Sequence, residues 1–170
     1  MEADERLPTT LIDLLRNAIV LRQTAPYIPV TSLVALSATC KSFRDVVNTQ
    51  RDVWRYLDLT KIRAAQIDSS PIDVGGVTWR AERMDESLTE DDFYAGPLRG
   101  ICSNLHQNSI LQYVQTLVLD GLSVPADLVR EIVSEDRYNV RILSLREAKN
   151  LNQAKLQHVL RYIVRPTRPE

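Results

Sequence analysis

One echo constrains this chain more than any other feature. Val114-x-x-Leu117-x-Leu119 returns as Val140-x-x-Leu143-x-Leu145, every position displaced by the same interval. A period of two inside each copy puts both leucines on one side of an extended strand. A helical segment follows each. Pro125 stands at the N1 position of the first, with Leu128, Val129, Ile132 and Val133 on one face; Asn152 caps the second, with Leu156, Val159, Leu160 and Ile163 on its face. A strand cannot bury such a leucine side alone, so the units must stack. Two units fall short of the three or more that such an array needs, which predicts that the chain continues beyond Glu170 or that this end is covered by something else.

The first part of the chain has a different period. Leu7, Leu11, Leu14, Leu15, Ala18 and Ile19 recur at helical spacing and predict one helix, with Pro8 in its first turn. Thr24-Ala-Pro26-Tyr-Ile-Pro29 must end it, because each proline lacks an N–H and disfavours helix in the residue before it. A second helix is expected to start at Thr31 or Ser32. Leu33, Leu36, Cys40, Phe43 and Val47 then step by three and four, an apolar seam that places Cys40 inside as a small structural thiol. Asp52-Val-Trp-Arg-Tyr-Leu57 reads as one further turn capped by Asp52, and Leu57-Asp58-Leu59-Thr60 closes the zone extended.

Between these zones lies a polar stretch. Asp68-Ser-Ser-Pro71 and Asp73-Val-Gly-Gly76 are loop compositions, and Thr89-Glu-Asp-Asp92 reads as a helix start that Pro97 and Gly100 keep short. The organisation is therefore residues 5–63, 64–100 and 101–164: a helical zone, a loop-rich linker or insertion, and the repeat zone.

The residues of the first zone resemble an F-box. Leu7-Pro8 opens a helix, Leu33-x-x-Leu36-x-x-x-Cys40-Lys41-x-Phe43-Arg44 follows, and Asp52-x-Trp54-x-x-Leu57-Asp58-Leu59 ends the series. The repeat zone is similar to leucine-rich repeats. The resemblance implies an α-rich fold, a three-helix F-box followed by the start of an α/β solenoid with short parallel strands. It also implies a partner: the F-box would dock on the adaptor Skp1, and through it on cullin and RING subunits, while the repeats hold a substrate protein for ubiquitination. Leu7, Pro8, Leu11, Leu33, Leu36, Phe43 and Trp54 are expected to face the adaptor or to hold the surface that does. Trp54 has two readings, a lock between helices and a direct contact. The alternatives are a Skp1-binding scaffold without ubiquitin transfer, and a repeat protein whose helical zone is an N-terminal cap.

Other chemistries find little support. A chain of 170 residues, 44% hydrophobic, buries a core, but its 21 basic and 22 acidic residues form no basic block for nucleic acid. No apolar run approaches the roughly 20 residues that span a bilayer, and the charged start Met1-Glu-Ala-Asp-Glu-Arg6 is no secretory signal. Two cysteines without such a signal predict free thiols in the cytosol or nucleus. Cys102 and His106 are spaced as zinc ligands, but structural zinc wants four, and no second pair lies near. His158 reads as a boundary residue of the last helix. Asp85, Glu86, Glu90, Asp91 and Asp92 read as a solvated loop and helix start rather than a metal site, and Gly75-Gly76 is too short for a phosphate loop. No catalytic residue, cofactor or metal is therefore expected.

Overall fold

The computed structural model describes residues 10–67 and 90–164. The helical zone holds α1 (Leu11–Arg16), α2 (Ala18–Thr24), a 3-10 turn at Ala25–Tyr27, α3 (Val30–Thr39), α4 (Lys41–Thr49) and a second 3-10 turn at Arg51–Trp54. Strand β1 (Tyr56–Asp58) follows, then α5 (Glu90–Gln107), β2 (Thr116–Val118), α6 (Ala126–Ser134), β3 (Ile142–Ser144) and α7 (Gln153–Ile163). The molecule is helix-rich, around one small sheet.

The sheet is parallel throughout, in the order β1-β2-β3, with Leu57, Leu117 and Leu143 in register. The echo is therefore a physical translation, and the hydrogen bonds repeat with it. Gln115 and Thr116 both donate to the Arg55 carbonyl at 2.9 Å; Arg141 and Ile142 both donate to the Gln115 carbonyl, at 2.8 and 3.0 Å. The Leu59 N–H reaches the Val118 carbonyl at 3.1 Å, and the Leu119 N–H reaches that of Ser144 at 3.0 Å. A third strand was not among the two units expected. Its pattern, Trp54-x-x-Leu57-x-Leu59, has the spacing of the other two, so the end of the helical zone is also the first rung of the sheet.

Several local expectations are corrected. The single first helix is two. Asn17 adopts extended geometry and its side chain accepts from the Ile19 and Val20 N–H groups, ending α1 and starting α2. The apolar stripe breaks with it: Leu15 is buried, whereas Leu11, Leu14 and Ile19 are exposed. Leu7 and Pro8 lie outside the described residues. The helix after the two prolines starts at Val30, directly behind Pro29. Cys40 is not in a seam, because it is an extended residue between α3 and α4, and exposed. Asp52 caps nothing; the N-cap position of that turn belongs to Gln50. Pro125 is the N-cap residue of α6 rather than its first helical one. Asn152 does cap α7, accepting from the Lys155 N–H at 3.1 Å.

The largest correction is α5, which runs through Pro97 and Gly100 to Gln107. Proline inside a helix costs about 3 kcal/mol through one lost hydrogen bond and a clash. Ala95, Leu98 and Cys102 are buried on one face of this helix, at steps of three and four. Burying a leucine alone is worth roughly 1.5–3 kcal/mol, so this face offsets the defect. Each strand is thus followed by a helix, and α6 packs on both α5 and α7.

Ion pairs link the helices. Arg99 on α5 grips Asp92 of its own helix and both oxygens of Glu131 on α6, which holds its guanidinium charged more firmly than usual. Lys155 on α7 reaches Asp91 at 2.6 Å and Asp127 at 3.6 Å. The two acidic residues Asp91 and Asp92 are therefore engaged by cations. Asp85, Glu86, Gly75 and Gly76 lie outside the described residues.

Candidate docking surface

The helical zone is built on a filled interior. Leu21, Leu33, Val47, Val53 and Trp54 are all buried, and the Trp54 indole Nε1 donates to the Val47 carbonyl at 3.0 Å. That bond ties the 3-10 turn to α4, so Trp54 locks the zone from inside. Leu33 does likewise at 2% exposure. These two hold the surface; they do not present it. Leu36 and Phe43 are half-buried against the core. Of the residues proposed from sequence to meet the adaptor, Leu11 is open to solvent, at 57% exposure.

The same zone leaves several large apolar side chains exposed beside its cations Arg16, Arg22, Lys41 and Arg44. Leu11 and Leu14, three residues apart, share a face of α1, and Ile19 on α2 and Val34 on α3 are exposed at 76% and 54%. Periodicity placed Leu14 and Ile19 in the apolar stripe of one helix; the break at Asn17 puts them on two helices, and both are exposed. Val34 carried no signal, being one step off the seam of α3.

Helix α1 is short but well secured. The Thr10 hydroxyl and the Asp13 carboxylate close a capping box: the Asp13 N–H donates to Thr10 Oγ1 at 3.3 Å, and the Thr10 N–H donates to Asp13 Oδ2 at 3.0 Å. Those bonds from Thr10 hold the Asp13 carboxyl below its ordinary range. Leu15 is the buried residue of this six-residue helix, and Leu11 and Leu14 leave about half of their surface open. A partner would supply the burial they lack.

Reactive groups elsewhere are structurally employed. Burial pushes the Cys102 thiol up, only partly offset by the Tyr138 hydroxyl beside it. Tyr138 is itself raised by burial, and its hydroxyl lacks a well-formed hydrogen bond. Both stay protonated at neutral pH. His106, the other half of the zinc spacing, is exposed, and among the described residues no three metal-ligating side chains cluster. His158 is exposed in a groove of about 350 Å³ between α6 and α7. A cleft of about 850 Å³ opens past the ends of the strands, lined by Thr60, Asp120, Ser123 and Asn150 among others. Its polar groups bond to one another: Ser144 Oγ and the Arg146 N–H donate to Asp120 Oδ1 at 2.7 and 2.8 Å, and Asn150 Nδ2 donates to Ser123 Oγ at 2.8 Å. They fix the turns of the stack.

Comparison with protein-family models, with curated proteins and with solved structures finds no match to this chain. Among the described residues no helix is long and apolar enough to cross a membrane.

Proposed function

We propose that this chain is a substrate-receptor subunit of an SCF-type ubiquitin ligase, an F-box docking on Skp1 and leucine-rich units presenting a bound protein. The observation that carries the reading is the exposed pair Leu11 and Leu14 on one face of α1, above a zone already locked by Trp54 and Leu33. It adds to the motif resemblance, because side chains that leave the interior complete are available to a partner's helices. The sheet supports the second half of the reading: three stacked strand–helix units offer a rigid platform. The chain itself would do no chemistry. Tethering raises the effective concentration of a substrate lysine near a charged conjugating enzyme.

Because Trp54 and Leu33 are interior, replacing them tests folding rather than docking. Leu11→Asp/Leu14→Asp is the informative pair. Co-expression with Skp1 should recover a complex with the wild-type chain and lose it at least about tenfold with the pair, which two lost apolar anchors make reasonable. Circular dichroism should stay unchanged. Equal recovery of wild type and a folded double variant would refute the docking. A complex with Skp1 that excludes cullin would point to scaffolding without ubiquitin transfer.

A further inference from the structure

We infer that the β3 end of the sheet docks an acidic protein segment, which adds a strand along β3; this rests on the substrate-receptor reading and names the class of substrate. Three observations meet at this end. The first is a strand edge that is unpaired among the described residues. β3 bonds to β2 through Ile142 and Ser144, so Leu143 turns its N–H and carbonyl, and Leu145 its N–H, to the far side, while the Leu145 carbonyl closes the turn by accepting from Ala148 at 3.4 Å. Among the described residues no strand pairs there. The opposite edge of the sheet is treated differently, since the proline-bearing turn Ala25–Tyr27 packs against β1.

The second observation is incomplete burial at equivalent positions. Val114, Leu117 and Leu119 are 0–2% exposed, whereas their counterparts in the next unit, Val140, Leu143 and Leu145, are only half-buried. Along α7 no residue is buried, and Leu160 is 49% exposed.

The third observation is charge, and it selects the occupant. Residues 139–164 carry Arg141, Arg146, Lys149, Lys155 and Arg161 against the single carboxylate of Glu147, in a chain whose net charge is −1. Lys155 is held by Asp91 and Asp127; the other four cations are exposed and make no ion pair among the described residues. A second copy of this chain would set like charges against each other across the edge. An extended segment alternating apolar and acidic residues satisfies the open backbone groups, the half-buried leucines and the cations together.

The probe is a short synthetic peptide alternating leucine and glutamate, with its leucine–lysine counterpart as control, added to the full chain. The acidic peptide should bind with an affinity that falls as salt rises, and Arg141→Glu/Arg161→Glu should weaken it about tenfold, as reversal of two exposed charges warrants. Amide exchange at Leu143 and Leu145 should slow on binding. Equal binding of the two peptides, or slowed exchange elsewhere and not on β3, would overturn the inference. So would a concentration-dependent dimer abolished by Ile142→Lys, because a second copy would then be the occupant. Skp1 recovery is scored on the same charge-reversal chain. Peptide lost with adaptor retained is the predicted pattern; adaptor absent from wild type while the peptide binds would sink only the receptor reading.

Discussion

The second and third strand–helix units share one sequence pattern and differ in what covers them. β2 lies between two strands and α6 between two helices, and their leucines are sealed. Among the described residues β3 and α7 have a neighbour on one side only, and the same pattern leaves Val140, Leu143 and Leu145 half-buried and Leu160 exposed at 49%. Burial in a stacked array is thus a property of the neighbour, not of the motif. The exposed large apolar residues accordingly gather at the two ends of the molecule, with Phe93 the exception. Both ends expose apolar side chains, and the third unit sets them among cations opposed by the single carboxylate of Glu147 over residues 139–164.

Removing equivalent leucines probes that comparison with the largest effect. Leu117→Ala should cost about 2–5 kcal/mol in chemical denaturation, the range for emptying a closed core site, and Leu143→Ala should cost no more than about half as much. Equal costs would mean that the third unit is sealed after all. Next is Asp120, whose one oxygen accepts from both Ser144 and Arg146. Asp120→Ala should lose about 1–2 kcal/mol and speed amide exchange in β3 and α7 ahead of β1 and β2.

A smaller effect, of opposite sign, is expected at the turns after the strands. Gly121 has φ of 70°, and Glu147, at the matching position of the next unit, has φ of 53° without being glycine. Glu147→Gly should stabilise by about 0.5–1 kcal/mol, the left-handed strain relieved less the entropy that glycine adds to the unfolded chain. A loss of thermal stability would show that the Glu147 side chain does something the backbone geometry does not reveal. Comparable in size but destabilising, Arg99→Met should cost about 0.5–1 kcal/mol, because its carboxylate partners are 24–32% exposed and water screens them.

The repeat zone was legible because its signal is periodic and local: the echo placed two strands in their true register, and Asn152 announced its helix. The first rung was hidden by distance. Trp54, Leu57 and Leu59 precede their counterparts by a far longer interval than the one separating the second unit from the third, and an irregular interval erases a period even when the pattern inside each unit is intact. The start of helix α5 was legible in Thr89-Glu-Asp-Asp92, but its length was not, because Pro97 and Gly100 are local breakers while the burial that overrides them is tertiary. The candidate surface was legible only in outline. Periodicity describes one straight helix, and the break at Asn17 splits its stripe, leaving Leu15 buried and Leu14 and Ile19 exposed. Trp54 carried both of its readings until the bond to the Val47 carbonyl placed it inside.

Hydrogen exchange, followed on the chain alone and on the chain with Skp1, distinguishes docking through the helical zone from docking elsewhere. Slowed exchange is expected in Leu11–Arg16 and Val30–Thr39, with Ile142–Ser144 unchanged. Protection confined to Ile142–Ser144, or no protection anywhere at saturating Skp1, would contradict docking through the helical zone.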